Sequence, residues 1–185
     1  LEDGEVSISR VRAAMTFPSR FILVAAQNPC PCGYLGDSRH VCSCKQRDIE
    51  NYRRKISGPL MDRIDMQINL ARVDFSELKD KQAGESSAVI RERVVRARQL
   101  QQARLEPWGI HCNAQMGRQE VVKYCQLNAD AQKVMEKYFN ILNLSARSHD
   151  RILKVARTIA DLAGSVNIQA SHIAEAVTLR ANNRS

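Results

Sequence analysis

The hydrophobic period of this chain changes once, and that change divides it. Up to about residue 80 the apolar residues alternate or run in unbroken blocks; after a polar stretch at residues 80–87, with Gly84 and paired serines, every segment repeats at helical spacing. Strands gathered in one part with a single short helix, and helices alone in the other, make an α+β chain. We expect two domains, residues 1–80 and 84–185. At 185 residues the chain has enough material for a real core, without metal or disulfides being needed merely to fold it.

In the first part, Val6-Ser7-Ile8-Ser9 alternates and 11–16 is a second short segment, together a β-hairpin carrying Arg10 and Arg12. Phe21-Ile22-Leu23-Val24-Ala25-Ala26 does not alternate, the pattern of a central strand covered on both faces. Ile49, Tyr52 and Ile56 recur at helical spacing, with Gly58-Pro59 as the stop. Ile64, Met66, Ile68 and Leu70 then alternate with Asp65, Gln67 and Asn69, a strand with one wet face.

In the second part a helix over 86–105 turns Ile90, Val94 and Ala97 inward and Arg91, Arg93, Arg96, Arg98 and Arg104 largely outward, ending before Pro107. Shorter helices are expected near 117–125 and 130–142. The strongest amphipathic segment follows, with Ile152, Val155, Ala156, Ile159 and Ala163 on one face and Arg151, Lys154, Thr158 and Asp161 opposite. Ser145 is its N-cap, which places Arg147 in the first turn, and a last helix covers 171–180.

Four of the six cysteines form two CxC pairs just beyond the apolar block: Cys30 and Cys32, then Cys42 and Cys44. Four thiolates suit a tetrahedral zinc ion, and a turn through Pro31 and Gly33 can bring the pairs together. A CxC is tighter than the usual CxxC knuckle, so free thiols remain open as a reading, a redox disulfide less so, and His40 can replace one ligand. Nothing in the loop leaves an open coordination position with a base beside it, so a bound ion here is structural. Cys112 and Cys125 stand alone and read as small apolar residues.

Three polar residues suit phosphate chemistry. Asn28 follows the apolar block, where its amide either makes an Asn-Pro turn or orients a water against a phosphate. Arg63, flanked by Asp62 and Asp65, is either a structural ion pair or a guanidinium offered to a neighbouring subunit's phosphate. Arg147, at the start of a helix, adds its charge to the positive end of the helix dipole. Basic residues exceed acidic ones to give a net charge of +8, which fits a polyanionic partner. Arg10 and Arg12 are the DNA contacts we expect, with charges guarding an exposed strand edge as the alternative. No run is long and apolar enough to span a bilayer, the first residues are no signal peptide, and a cytoplasmic protein is expected.

Asn28-Pro29, the run from Ser57 to Asp65, Leu144-Ser145-Ala146-Arg147-Ser148, and the run from Arg151 to Leu162 follow one another as they do in the magnesium-chelatase-like AAA+ ATPases of the ComM (YifB) competence type, and the chain resembles the C-terminal part of these proteins over nearly its whole length. The resemblance implies that the first four residues follow the Walker B strand and that 10–18 belong to the pre-sensor-1 hairpin, which faces the pore of a hexameric ring. It implies sensor 1 at Asn28, an arginine finger at Arg63 and sensor 2 at Arg147, with ATP and magnesium as cofactors and DNA as the substrate of a branch-migrating helicase. A GxxxxGK[ST] phosphate loop is absent from the sequence, as is an apolar run ending in Asp-Glu. The expectation is therefore a piece of a longer ATPase, inactive alone. Two alternatives stand beside it: the motor subunit of a magnesium chelatase, or a zinc-stabilised module that binds nucleic acid or protein without ATP.

Overall fold

The computed structural model of the chain describes residues 4–10, 13–70, 73 and 84–181. The chain divides into two compact units between Ile64 and Asp65.

The first unit opens with the expected hairpin. Strands β1 (Glu5–Arg10) and β2 (Ala13–Pro18) pair antiparallel, with Val6 opposite Phe17 and Ile8 opposite Met15. Those four side chains share one face of the ribbon, and all are exposed. Ser7 and Thr16 meet through their hydroxyls at 3.0 Å on the other face. Ser19 N–H donates to the Gly4 carbonyl at 2.7 Å and closes the base of the hairpin. Gly4 sits at φ +66°, and a Cβ there would lie 3.0 Å from Arg20 Nε.

Two expected strands do not form among the described residues. Residues 21–26 form neither strand nor helix and have no ladder partner, and Ile22 and Val24 are each 89% exposed. A block that is apolar on both faces becomes a central strand only where strands flank it and take up its backbone N–H and C=O groups. Residues 64–70 form no strand either, and Ile68 and Leu70 face out. Within the second unit they are tied to helices instead: Gln67 N–H donates to the Leu179 carbonyl at 2.6 Å, and the Arg151 guanidinium contacts the Asp65 carboxylate.

Helix α1 (Gln46–Arg54) buries Ile49, the residue its periodicity pointed inward. It ends at Arg54, ahead of Gly58-Pro59, and that dipeptide starts a helix rather than stopping one. Ser57 caps the short α2 (Gly58–Met61) by accepting from Leu60 N–H at 3.3 Å, with Pro59 in the first turn, where a missing N–H costs nothing.

The second unit is helical. Helix α3 (Ser87–Leu105) is capped by Ser86; 3-10 turns follow at Glu106–Trp108 and Asn113–Gln115, and then come α4 (Arg118–Tyr124), α5 (Ala129–Ile141), α6 (Ala146–Leu162) and α7 (Ala170–Ala181). Helix α6 lies against α3, α4 and α7, and α5 packs on α7. The core between them is built from Leu105, Met116, Met135, Ile152, Ile168, Ile173 and Val177 with small alanines at 131, 156, 160 and 176. Alanines at such positions let helix axes approach closely.

The expected inward faces need three corrections. On α3 the buried stripe is Ala97, Gln101 and Leu105; Ile90 and Val94 lie on its extension toward the N-terminus but are 41% and 44% exposed, because that half of the helix runs past the core. On α6, Ala163 is exposed. Asp161, expected outward, has a fully buried carboxylate, as has Arg157 its guanidinium nearly so. Arg157 reaches Asp161 at 3.1 Å through Nε, Asn113 Nδ2 donates to the same carboxylate at 2.8 Å, and Arg104 also binds it. A buried charge survives when its lost water bonds are replaced this completely. Arg157 also donates to the carbonyls of Val166 at 2.8 Å and Ser165 at 2.6 Å, pinning the turn between α6 and α7.

Candidate metal centre and associated residues

Short-range turns shape the loop from Asn28 to Lys45. Gly33 N–H donates to the Cys30 carbonyl at 3.0 Å, with Gly33 at φ +83°, a conformation natural to glycine. A second turn closes from Asp37 N–H to the Tyr34 carbonyl at 3.1 Å. The Asp37 carboxylate then accepts from the N–H groups of Arg39 at 2.7 Å and His40 at 3.0 Å. These two turns return the chain on itself, so Cys42 arrives beside Cys30.

The four sulfurs of Cys30, Cys32, Cys42 and Cys44 lie within 4.8 Å of one another. Cys30 and Cys32 are 3.4 Å apart, Cys32 and Cys42 3.6 Å, and Cys30 and Cys42 3.7 Å. A disulfide requires ~2.05 Å. A tetrahedron with bonds of about 2.3 Å, the zinc–thiolate length, has edges of ~3.8 Å. The three spacings among Cys30, Cys32 and Cys42 are close to those edges, and Cys44 lies near enough to complete such a set. His40 is not in the cluster; its ring stacks on Tyr34 at 4.9 Å and its Nδ1 lies 3.7 Å from Asp37. The candidate ligand set is the four cysteines.

The thiols do not ionise alike. The backbone N–H of Tyr34 favours the thiolate of Cys32 and brings it down to about 5. Cys44 also takes a backbone hydrogen bond, from Cys32, but burial and the sulfurs of Cys32, Cys42 and Cys30 outweigh it and push the thiol up to about 12. Burial opposes ionisation of Cys30, yet its net shift is downward, with Leu35 N–H helping; Cys42 moves upward despite a bond from the Cys44 backbone. Thiols this close titrate as a group rather than one by one.

Asn28 lies two residues before the first ligand, exposed, with the Gly33 turn folded toward it: a Cβ on Gly33 would stand 3.9 Å from Asn28 Nδ2. Arg63 follows α2, and its Nη1 donates to the Pro59 carbonyl at 2.9 Å. The aspartate expected beside it, Asp65, is held by Arg151. Arg147 is in the first turn of α6, exposed, behind a Ser145 cap that accepts from Ser148 N–H at 3.2 Å. Asn28 and Arg63 belong to the first unit and Arg147 to the second. Arg10 ends β1 with its side chain exposed; Arg12 lies outside the described residues.

Sequence periodicity gave no sign of the Tyr34–His40 stack or of the Arg104–Asp161 pair, whose partners are 57 residues apart. Of the lone cysteines, Cys125 is buried and Cys112 half-buried.

Residues 1–78 match the family described as magnesium chelatase, subunit ChlI, and residues 84–180 match its companion, magnesium chelatase, subunit ChlI C-terminal. The competence protein ComM of Haemophilus influenzae is 41% identical over 182 residues, 98% of this chain and 35% of that protein. The chain belongs to this family. The uncharacterized protein YifB of Salmonella typhimurium is 37% identical over the whole chain and 35% of its own length, as is its namesake in Escherichia coli. The chain thus spans about a third of the length of the curated relatives it matches. Members of this magnesium-chelatase-like family are of the AAA+ kind, which brings ATP and magnesium into consideration for the full-length proteins. Among the described residues no helix is long and apolar enough to cross a membrane.

Proposed function

We propose that this chain is the sensor and lid portion of an AAA+ ATPase that drives branch migration on DNA during natural transformation, working in the cytoplasm as a hexameric ring. The observation that carries the reading is the 41% identity to the competence protein ComM over 98% of the chain. The domains follow the sequence division, an ATPase remnant at 1–80 and a helical lid at 84–185. Asn28 positions the attacking water, Arg63 offsets charge on the phosphate of an adjacent subunit, and Arg147 links phosphate contact to the position of the lid. These donors suit phosphate oxygens; neither guanidinium can ligate magnesium. Arg10 and Arg12 contact the DNA backbone without reading sequence. Zinc at Cys30, Cys32, Cys42 and Cys44 is structural.

In a chain of the relatives' length, Arg63→Ala should lower ATP turnover by ~10³-fold or more while nucleotide binding persists. The 185-residue chain alone should show no turnover. Turnover by that chain, abolished by Arg63→Ala, would overturn this assignment. One observation favours a second reading, a chelatase motor subunit: both matched families carry the magnesium chelatase description. ATP-dependent unwinding of branched DNA, measured beside stimulation of magnesium insertion into a porphyrin, separates the two.

A further inference from the structure

The first unit has almost no apolar interior. Of its described residues, Cys30 and Ile49 are its only buried hydrophobics, and the hydrophobic core cluster lies wholly in the second unit, between Leu105 and Val177. Residues 28–45 therefore draw little on apolar burial for their shape. A small segment without a core needs a cross-link of another kind.

Within residues 28–45 the shaping turns are local, joining Gly33 to Cys30, Asp37 to Tyr34, and the Asp37 carboxylate to 39 and 40. Bringing the two ends together falls to sulfur: Cys30 against Cys42, Cys32 against Cys42, and backbone N–H groups of Ser43 and Cys32 donating to the sulfurs of Cys32 and Cys44. Thiols in such proximity attract one another weakly and repel once ionised, so they do not close the loop unaided. A soft divalent cation reverses the sign of that interaction. Each coordinating thiol gives up its proton to solvent, and the metal–sulfur bonds replace the lost contact with water.

We infer that capture of a soft divalent cation, zinc above all, by Cys30, Cys32, Cys42 and Cys44 is the step that folds residues 28–45 and thereby places Asn28. The inference rests on the zinc reading and deepens it: the ion makes the position of a phosphate-facing amide conditional on metal. Two geometric links carry this dependence. Asn28 is two residues from the first ligand and packs toward the Gly33 turn inside the knuckle. At the other end, Cys44 immediately precedes Lys45, the N-cap of α1, which has no side-chain cap of its own. The ion thus anchors the start of that helix as well as the Asn28 segment.

The test uses the 185-residue chain, prepared without chelator, then stripped of metal, then reconstituted with zinc alone. Elemental analysis should find about one zinc per chain. Amide hydrogen exchange over 30–45 should accelerate by ~100-fold or more on stripping and recover with zinc. Exchange in α6 and α7 should not move, which reports that the helical unit stays folded. Cys44→Ser should reproduce the stripped pattern. Bound zinc with unchanged exchange over 30–45 would overturn the inference and leave the zinc reading intact. No bound zinc, and no uptake on reconstitution, would overturn both. Neither result depends on ATP turnover, so failure of the motor assignment would be seen separately.

Discussion

Cys125 and Cys32 carry the same thiol and sit at opposite ends of its range. Cys32 is drawn down to about 5, chiefly by a backbone N–H aimed at its sulfur. Cys125 is pushed up to about 12 by burial in the helical core, with Arg157 and Arg104 only partly offsetting it. The Cys125 shift has a stability consequence of definite sign. In the unfolded chain the thiol titrates near 9.0, whereas in the folded chain it keeps its proton up to about 12. Between those values the unfolded state sheds a proton that the native state holds, so stability is full below the lower value and declines toward the upper one. The slope is at most ~1.4 kcal/mol per pH unit. Urea unfolding from about pH 8 to about pH 11 should show the native protein losing stability more steeply than Cys125→Ala, by up to that slope. Parallel curves would mean the thiol ionises alike in both states. The isolation of Cys125 in sequence was enough to mark it as a small buried group, and the CxC pairs were enough to mark four thiols that come together. Which thiol ionises first was not legible, because it depends on where individual N–H groups point.

At the scale of elements, capping residues were legible and partners were not. Ser145 reads as a cap in the sequence and is one; Ser86, which reads as the first residue of its helix, caps it in the same way. Gly58-Pro59 reads as a stop, but proline that stops a helix from inside also suits its first turn, and the Ser57 cap makes the pair a start. The segments at 21–26 and 64–70 have strand patterns, but a strand is a property of a pair, and no partner for either occurs among the described residues. Asp161 was misplaced for a related reason. Periodicity assigns a carboxylate outward unless distant cations meet it, and here Arg104 of α3 and Arg157 of α6 do. This carboxylate joins two helices, the Asn113 turn and, through Arg157, the link to α7. Asp161→Ala should therefore cost ~3–5 kcal/mol, because it strands a nearly buried guanidinium without its counter-charge. Chemical denaturation followed by helical circular dichroism measures it. A loss below about 1 kcal/mol would show that the arginines find solvent or another acceptor at little cost.

Across the whole molecule, the two units differ in what holds them and in what they expose. The second has a closed core. The first leaves one hairpin face uncovered, Val6, Ile8, Met15 and Phe17, and carries Arg10 at the end of that ribbon, opposite Ala13. A net charge of +8 makes some affinity for a polyanion unavoidable at low salt, so binding to DNA by itself discriminates nothing. The informative quantity is the dependence of the binding constant on salt, which counts phosphates neutralised. If Arg10 contacts a phosphate of single-stranded DNA, Arg10→Ala should flatten the slope of log K against log salt by ~0.7 and weaken binding equally for oligonucleotides of different sequence. Fluorescence anisotropy across a potassium chloride series gives both readings. An unchanged slope with intact folding would assign Arg10 to guarding the exposed strand edge, where a charge discourages pairing with another chain. A slope change confined to one sequence would point to base contact and count against the proposed translocating ring, because such a motor must release each phosphate as readily as it grips the next.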